Sequence, residues 1–129
     1  VAHPQMFDDD DPILARVRSL ALALPSSAEK VSHGRPAFFT TKVFAYYGGS
    51  VRMDGDWIAH DQALIVLPDP DDREALLGDS RTFVPAYLGP SGWIGIDLDD
   101  DSDWDEVDEL LDASFRLTAP KRAIAQLAT

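Results

Sequence analysis

The chain has 129 residues, 45% of them hydrophobic, and this length predicts one domain with a core of its own. It has no cysteine, which excludes disulfides, thiol nucleophiles and cysteine-ligated metal sites. The formal net charge of −12 disfavours a protein that binds nucleic acid through its overall electrostatic field.

The N-terminal part predicts an acidic tail followed by a helix. Residues 1–10 are expected to form a mobile acidic tail, and residues 11–129 a single domain. Asp11 is the predicted N-cap and Pro12 the first helical residue, because proline has no N–H to leave unbonded there. Apolar residues then recur at helical spacing until Pro25 ends the run.

Strand-like segments follow, rich in aromatic and β-branched residues. Two consecutive strands are predicted within residues 37–47, then a two-residue hairpin turn at Gly48-Gly49 and a return strand over residues 50–53. Asp54-Gly55 predicts a second hairpin turn. The short apolar run over residues 63–67 predicts an interior strand.

The C-terminal half predicts helices around one more hairpin. Asp69 and Pro70 begin a short helix, and segments 82–88 and 93–98 predict strands joined by a loop over Gly89–Gly92. A longer helix capped by Ser102 or Asp103 follows, and its predicted apolar face is Trp104, Val107, Leu111 and Phe115. Grouped strands flanked by helices predict an α+β fold, a single two-layer domain with a mostly antiparallel sheet packed against helices.

Aspartates are concentrated between residues 97 and 112, which hold ten acids and no base. Asp97, Asp99, Asp101 and Asp103 fall at alternate positions of a calcium-loop spacing, but Ser102 stands where such a loop has glycine. The pattern therefore favours a polar loop leading into a helix N-terminus over the alternative of calcium binding. We expect no metal ion and no other cofactor.

One region is basic instead. Residues 30–52 contain no acid and four bases, which are Lys30, Arg35, Lys42 and Arg52. His33 and five aromatic side chains lie in the same region. Cations that contact phosphates and rings that stack on bases are typical of nucleic-acid binding, while packing within a sheet is the competing interpretation of these aromatic residues.

Several short motifs occur in a fixed order between about residues 12 and 127. They are Leu22–Pro25, Glu29, His33–Phe38, Lys42–Ala45, Pro85–Leu88, Gly92–Ile94, Asp103-Trp104, Leu110-Leu111, Ser114-Phe115 and Ala119–Arg122. This ordered set resembles the MmcQ/YjbR family of small bacterial proteins. The resemblance implies an α+β fold similar to that of secretion chaperones and frataxin-like proteins.

The resemblance also implies a binding role, because family members are labelled DNA-binding for two projecting hairpins that look like a pair of wings. In this chain the wings would be the hairpins around Gly48-Gly49 and Gly89–Gly92. Their nearby cations would be Lys42, Arg52, Lys121 and Arg122. No catalytic motif accompanies the resemblance, so we expect a non-catalytic binding module with DNA as one partner.

The alternative is a chaperone-like module that binds a small molecule or a peptide. It predicts an apolar concave patch lined by Trp57, Tyr87 or Trp93, because such sites are concave and mostly apolar. Apolar runs reach only five residues, far fewer than the ~20 that span a bilayer. We therefore expect a cytoplasmic monomer without a membrane partner.

Overall fold

The computed structural model describes residues 4–128, which form an antiparallel sheet with helices packed on it. The helices are α1 (Pro12–Leu22), α2 (Pro70–Leu77), α3 (Trp104–Thr118) and α4 (Lys121–Ala125). The strands are β1 (Ala28–Ser32), β2 (Arg35–Phe39), β3 (Val43–Met53), β4 (Asp56–Val66), β5 (Thr82–Phe83) and β6 (Ile94–Asp97). They lie in the order β1-β2-β3-β4-β6-β5, and every neighbouring pair is antiparallel, which confirms the predicted α+β fold.

Aspartate side chains cap the first three helices, as the sequence predicts. Asp11, Asp69 and Asp103 each accept a hydrogen bond from the backbone N–H two residues later, at 2.9, 3.0 and 3.1 Å. Each bond satisfies one of the N–H groups that a helix start leaves without a partner. None of the helices within residues 4–128 is both long enough and apolar enough to cross a membrane.

The main core lies between the sheet and the helices α1 and α3. Both helices direct apolar residues at helical spacing towards the sheet, and Phe115 of α3 meets Phe44 of β3 edge to face, with 5.5 Å between ring centroids. Buried Ser114 joins the two layers, because its hydroxyl donates to the Phe44 carbonyl and accepts from the Leu67 N–H. A hydroxyl at this position is therefore fully bonded although it is completely buried.

The opposite face of the sheet is covered in part by the connection between β5 and β6. Ala37 and Ile65 are fully buried although neither belongs to the helix-side core. Residues 84–93 cross this face, which we call the second face, and the Ala86 N–H donates to the Ser50 carbonyl at 2.8 Å. Residues 84–93 therefore form a wall above the sheet.

One prediction about the strands is wrong, and one strand of the structure was not predicted. Gly48-Gly49 is not a hairpin turn but lies inside β3, which runs without interruption to the turn at Asp54-Gly55. A glycine with positive φ serves a bulge as well as a turn, so the sequence signal is the same. The polar strand β1 was not predicted; it forms an edge of the sheet and pairs with β2 through a turn at His33-Gly34.

The hairpin predicted around Gly89–Gly92 is also wrong. Only Thr82 and Phe83 of the predicted strand 82–88 pair with β6, and the chain then leaves the sheet. Gly89–Ser91 form a short 3-10 turn in place of a projecting loop. The chain leaves the sheet after Phe83 and crosses the second face. The Phe83 ring packs on that face against Gly95, with no room for a side chain on the glycine.

The predicted tail lies against the domain over its described part, residues 4–10. The Met6 N–H donates to the Gly34 carbonyl at 2.8 Å, and Asp9 accepts from Arg18 at 2.7 Å. Arg18 also binds both carboxylate oxygens of Glu29, which raises the pKa of the guanidinium. Residues 1–3 of the predicted tail lie outside the described residues, and the mobility of the tail stays a prediction.

A buried hydrogen-bond network ties the start of α1 to the sheet. Asp11, only 8% exposed, accepts from the Tyr47 hydroxyl at 2.5 Å and from the Gln62 side-chain amide at 3.1 Å, in addition to its capping bond to Ile13. Burial and the adjacent carboxylate raise the pKa of Tyr47 well above its usual range. The phenol is therefore held as a neutral donor.

Because of this network, the free energy of unfolding is expected to depend on pH in the alkaline range. The unfolded chain releases the tyrosine proton near pH ~10 and the folded chain does not, so the unfolded state binds fewer protons above that pH. The free energy of unfolding is thus expected to fall as the pH rises beyond ~10. Urea unfolding between neutral pH and pH ~11 would measure it, and Tyr47→Phe should show a shallower fall. Equal slopes would contradict the assignment to Tyr47.

Candidate functional site

A groove of about 660 Å³ opens on the second face of the sheet. Its walls are the β1–β2 turn with Met6 on one side and the segment 85–88 on the other, and strands β3 and β4 form its floor. Three of the predicted site residues line it, namely His33, Arg35 and Tyr87. A groove of this size, mostly apolar with a few polar groups, is typical of small-molecule sites.

Arg35 reaches the groove because Gly48 leaves space for it. The side chain leaves β2 at its first residue and crosses β3, so that a methyl group built on Gly48 would lie 2.3 Å from Arg35 Nη1. Gly48 has a φ of +86°, which is a strained conformation for residues with side chains. Together these features leave the arginine only 8% exposed.

Asp61 is the acidic partner of Arg35. Between the pairs Tyr47–Leu64 and Gly49–His60, β3 has one residue and β4 has three, so β4 bulges beside Gly48. The bulge brings Asp61 Oδ1 within 3.1 Å of Arg35 Nη1. The Asp61 side chain is 66% exposed, so water screens this ion pair and an anion in the groove would compete with it.

The floor of the groove is aromatic and apolar. Tyr46 lies beside fully buried Ile65 on the second face, and its ring contacts Trp93 with 5.7 Å between centroids. Burial raises the pKa of Tyr46 above its ordinary value. Trp93, a predicted lining residue, does not line the groove and contacts its floor only through this ring.

Tyr87 stands at the mouth of the groove in an unusual backbone conformation. Its φ is +67°, and the Leu88 N–H donates to the Ala86 carbonyl at 2.8 Å, which closes a three-residue γ-turn around it. The residue as a whole is 84% exposed. One face of its ring nevertheless stacks on Trp57, with 5.7 Å between ring centroids and 25° between ring planes. Arg52 lies over the Trp57 ring at 5.1 Å, so three side chains form one stack.

None of the other predicted cations lines this groove, although Arg52 approaches its mouth through the stack on Trp57. Lys42 precedes β3 and Arg52 lies near its end, so about 30 Å of strand separates them. The prediction that they flank one wing is wrong, because β3 does not turn at Gly48-Gly49. Lys30 lies over the Phe39 ring on the edge strand pair, and exposed Lys121 and Arg122 begin α4.

The aspartate run does not fold into a calcium loop. Asp97 faces His60 with 2.7 Å between Oδ1 and Nδ1, Asp99 accepts from the Asp101 N–H, and Asp103 caps α3. Within residues 4–128, His, Asp and Glu side chains nowhere gather in threes as a metal ion would need. The carboxylates are instead used in local turns and in the helix cap.

The sequence did not indicate the groove-lining residues that come from distant segments of the chain. Met6, Ser50, Ile65 and Leu88 all line the groove, but they come from four separate segments. A usable signal was present at one point only, where two adjacent glycines follow two tyrosines in an otherwise strand-forming run. Such a pair in a long strand indicates close approach by another side chain as readily as a turn.

Comparison with known proteins then places the chain. The YjbR family model matches residues 22–117. The chain belongs to the YjbR family. Its fold is similar to that of protein DR2400 of Deinococcus radiodurans, described with the domain DUF419, at a TM-score of 0.60 and 18% identity over 89% of this chain and 87% of that one. No curated protein matches the chain.

Membership confirms the resemblance to the MmcQ/YjbR family that the ordered motifs indicated. The matched range includes every groove-lining residue from Ser32 of β1 to Leu88. It leaves out Met6. At 18% identity, the likeness to DR2400 concerns the fold alone. The site of this YjbR protein therefore has to be interpreted from its own side chains.

Proposed function

We propose that this YjbR protein is a binding protein that holds a small anionic molecule in the groove of the second face. The observation that carries the proposal is the position of Arg35, a nine-tenths buried cation at the side of a mostly apolar groove. A buried guanidinium presents several N–H donors in a rigid plane, which suits carboxylate and sulfonate oxygens.

The surroundings of Arg35 support an anion rather than a neutral ligand. Its acidic partner Asp61 is largely exposed and contacts it through one oxygen at 3.1 Å. A ligand anion bound from the groove side would be desolvated and would interact more strongly with the guanidinium than exposed Asp61 does. The apolar part of the ligand would lie on Tyr46 and Ile65.

Arg35 gives the first test. Anilinonaphthalene sulfonate is a suitable anionic probe, and phenylnaphthylamine is its neutral analogue. Arg35→Met keeps the apolar stem and should weaken the sulfonate about 10- to 100-fold while changing the neutral probe little. Asp61→Asn should act in the opposite direction and tighten the sulfonate several-fold. If the substitutions changed the affinities for the charged and the neutral probe equally, Arg35 would not be selecting for the negative charge of the ligand.

The location of binding is tested by filling the groove. Ser50→Trp places a large ring among the lining residues, whereas Ser19→Trp adds the same ring to the exposed surface of α1. Fluorescence titration should give no binding for the first variant and unchanged binding for the second, with circular dichroism to verify that both are folded. Binding that survives Ser50→Trp would locate the probe elsewhere and remove the proposal.

DNA binding is the other outcome that the family label suggests. Contact with six phosphates needs about six well-placed cations, and the predicted cations come from separate elements, at β1, at the two ends of β3 and at α4. Labelled duplex and single-stranded DNA should therefore give no salt-dependent anisotropy change with this protein. A steep log–log salt slope that Lys42→Ala or Arg52→Ala flattens would favour DNA over the small anion.

A further inference from the structure

We propose that Tyr87 is a stacking platform and that the ligand carries a planar aromatic ring in addition to its negative charge. This inference rests on the proposed anion-binding groove and adds the ligand's second feature. The ring would lie on the outer face of Tyr87 at the mouth of the groove, while the charged group reaches Arg35 further in.

The first support is the backbone of Tyr87. A bulky residue with a φ of +67° is strained, and left-handed conformations of this kind cost of the order of the energy of a hydrogen bond. The strain is maintained from both sides, because Ala86 donates to Ser50 and Gly89 donates to the Pro85 carbonyl. A glycine would adopt this turn without strain, yet the position holds tyrosine.

The second support is that burial cannot explain the tyrosine. With 84% of its surface exposed, Tyr87 contributes little to the core. Its inner ring face is fixed on Trp57, and Trp57 is fixed in turn under the Arg52 guanidinium. The ring is therefore held in one orientation, with its outer face directed away from Trp57.

The third support is chemical. A fixed aromatic face binds another planar ring with little loss of side-chain entropy, in the offset stacked geometry that aromatic pairs prefer. Stacking accepts many planar rings, whereas Arg35 selects for negative charge. The two contacts together describe an aromatic anion as the ligand class, in contrast to an aliphatic one.

The test compares two anions of equal charge, naphthalene sulfonate and octane sulfonate, by calorimetry. Tyr87→Leu should weaken the naphthalene compound about tenfold and the octane compound less than about twofold. The separate variant Tyr87→Phe, which keeps an aromatic ring, should bind naphthalene sulfonate as the wild type does. Leu117→Ala, an exposed apolar change on α3, serves as the matched control and should alter neither. Thermal melting should place Tyr87→Leu within a few degrees of the wild type, as for other exposed positions.

The outcomes separate the two proposals. If both sulfonates bind and Tyr87→Leu weakens them equally or not at all, the stacking inference is overturned and the anion groove stands. A large fall in melting temperature for Tyr87→Leu would also overturn it, since the ring would then serve packing. If neither sulfonate binds the wild-type protein, the proposed function fails and the stacking inference fails with it.

Discussion

Asp11→Ala is expected to lower the free energy of unfolding by about 3–4 kcal/mol. Loss of the helix cap accounts for ~1 kcal/mol. The larger part comes from the buried Tyr47 hydroxyl, which loses its acceptor and stays out of water, whereas the amide of exposed Gln62 can bond to water instead. Urea unfolding at neutral pH would measure the change.

Asp69 offers a matched control for this experiment. It also precedes a proline and accepts from the N–H two residues later, but it is exposed and caps a helix without buried residues. Asp69→Ala removes the cap alone and should cost ~1 kcal/mol or less. If Asp11→Ala cost no more than Asp69→Ala, the buried network would contribute nothing measurable.

Gly48→Ala is expected to destabilise the protein by about 2–3 kcal/mol and to abolish the preference for anions. The left-handed backbone accounts for ~1–2 kcal/mol. The remainder arises because the new methyl group would overlap the Arg35 guanidinium, which has to leave its place above β3. The sulfonate affinity should therefore fall to the level of Arg35→Met.

Gly55 separates the two causes. It has nearly the same φ, +85° against +86°, but no atom lies within 4 Å of a methyl group built there. Gly55→Ala should thus show the backbone cost of ~1–2 kcal/mol alone and leave sulfonate binding unchanged. Equal effects of the two alanines on stability and binding would contradict the role of Gly48 as the space for Arg35.

The sequence allowed those parts of the fold to be predicted that depend on neighbouring residues. Asp11-Pro12, Asp69-Pro70 and Ser102-Asp103 are local capping signals, and the structure places the caps at Asp11, Asp69 and Asp103. The turn at Asp54-Gly55 was likewise predicted, because its geometry is set by two residues. Strand β1 was not predicted because its residues AEKVS are mostly polar and lie at an edge of the sheet, where no alternating apolar pattern is required.

The groove could be predicted only in part, for a related reason. His33, Arg35 and Tyr87 were selected for their chemistry, and the structure brings them to one cavity. Their joint placement depends on Gly48 accommodating Arg35 and on residues 84–88 crossing the sheet, and both are contacts between distant parts of the chain. Lys42 immediately precedes β3 and Arg52 lies near its end, so the hairpin turn wrongly predicted at Gly48-Gly49 put the two side chains on one wing.

The two walls of the groove differ in how they assemble. Strands β1 to β4 follow one another as consecutive hairpins over residues 28–66, so their contacts are local and can form early in folding. The opposite wall, residues 84–93, connects the two-residue strand β5 to β6 and is joined to β3 through the Ala86–Ser50 bond. That wall depends on contacts between distant parts of the chain, so it is expected to form after the four-stranded meander.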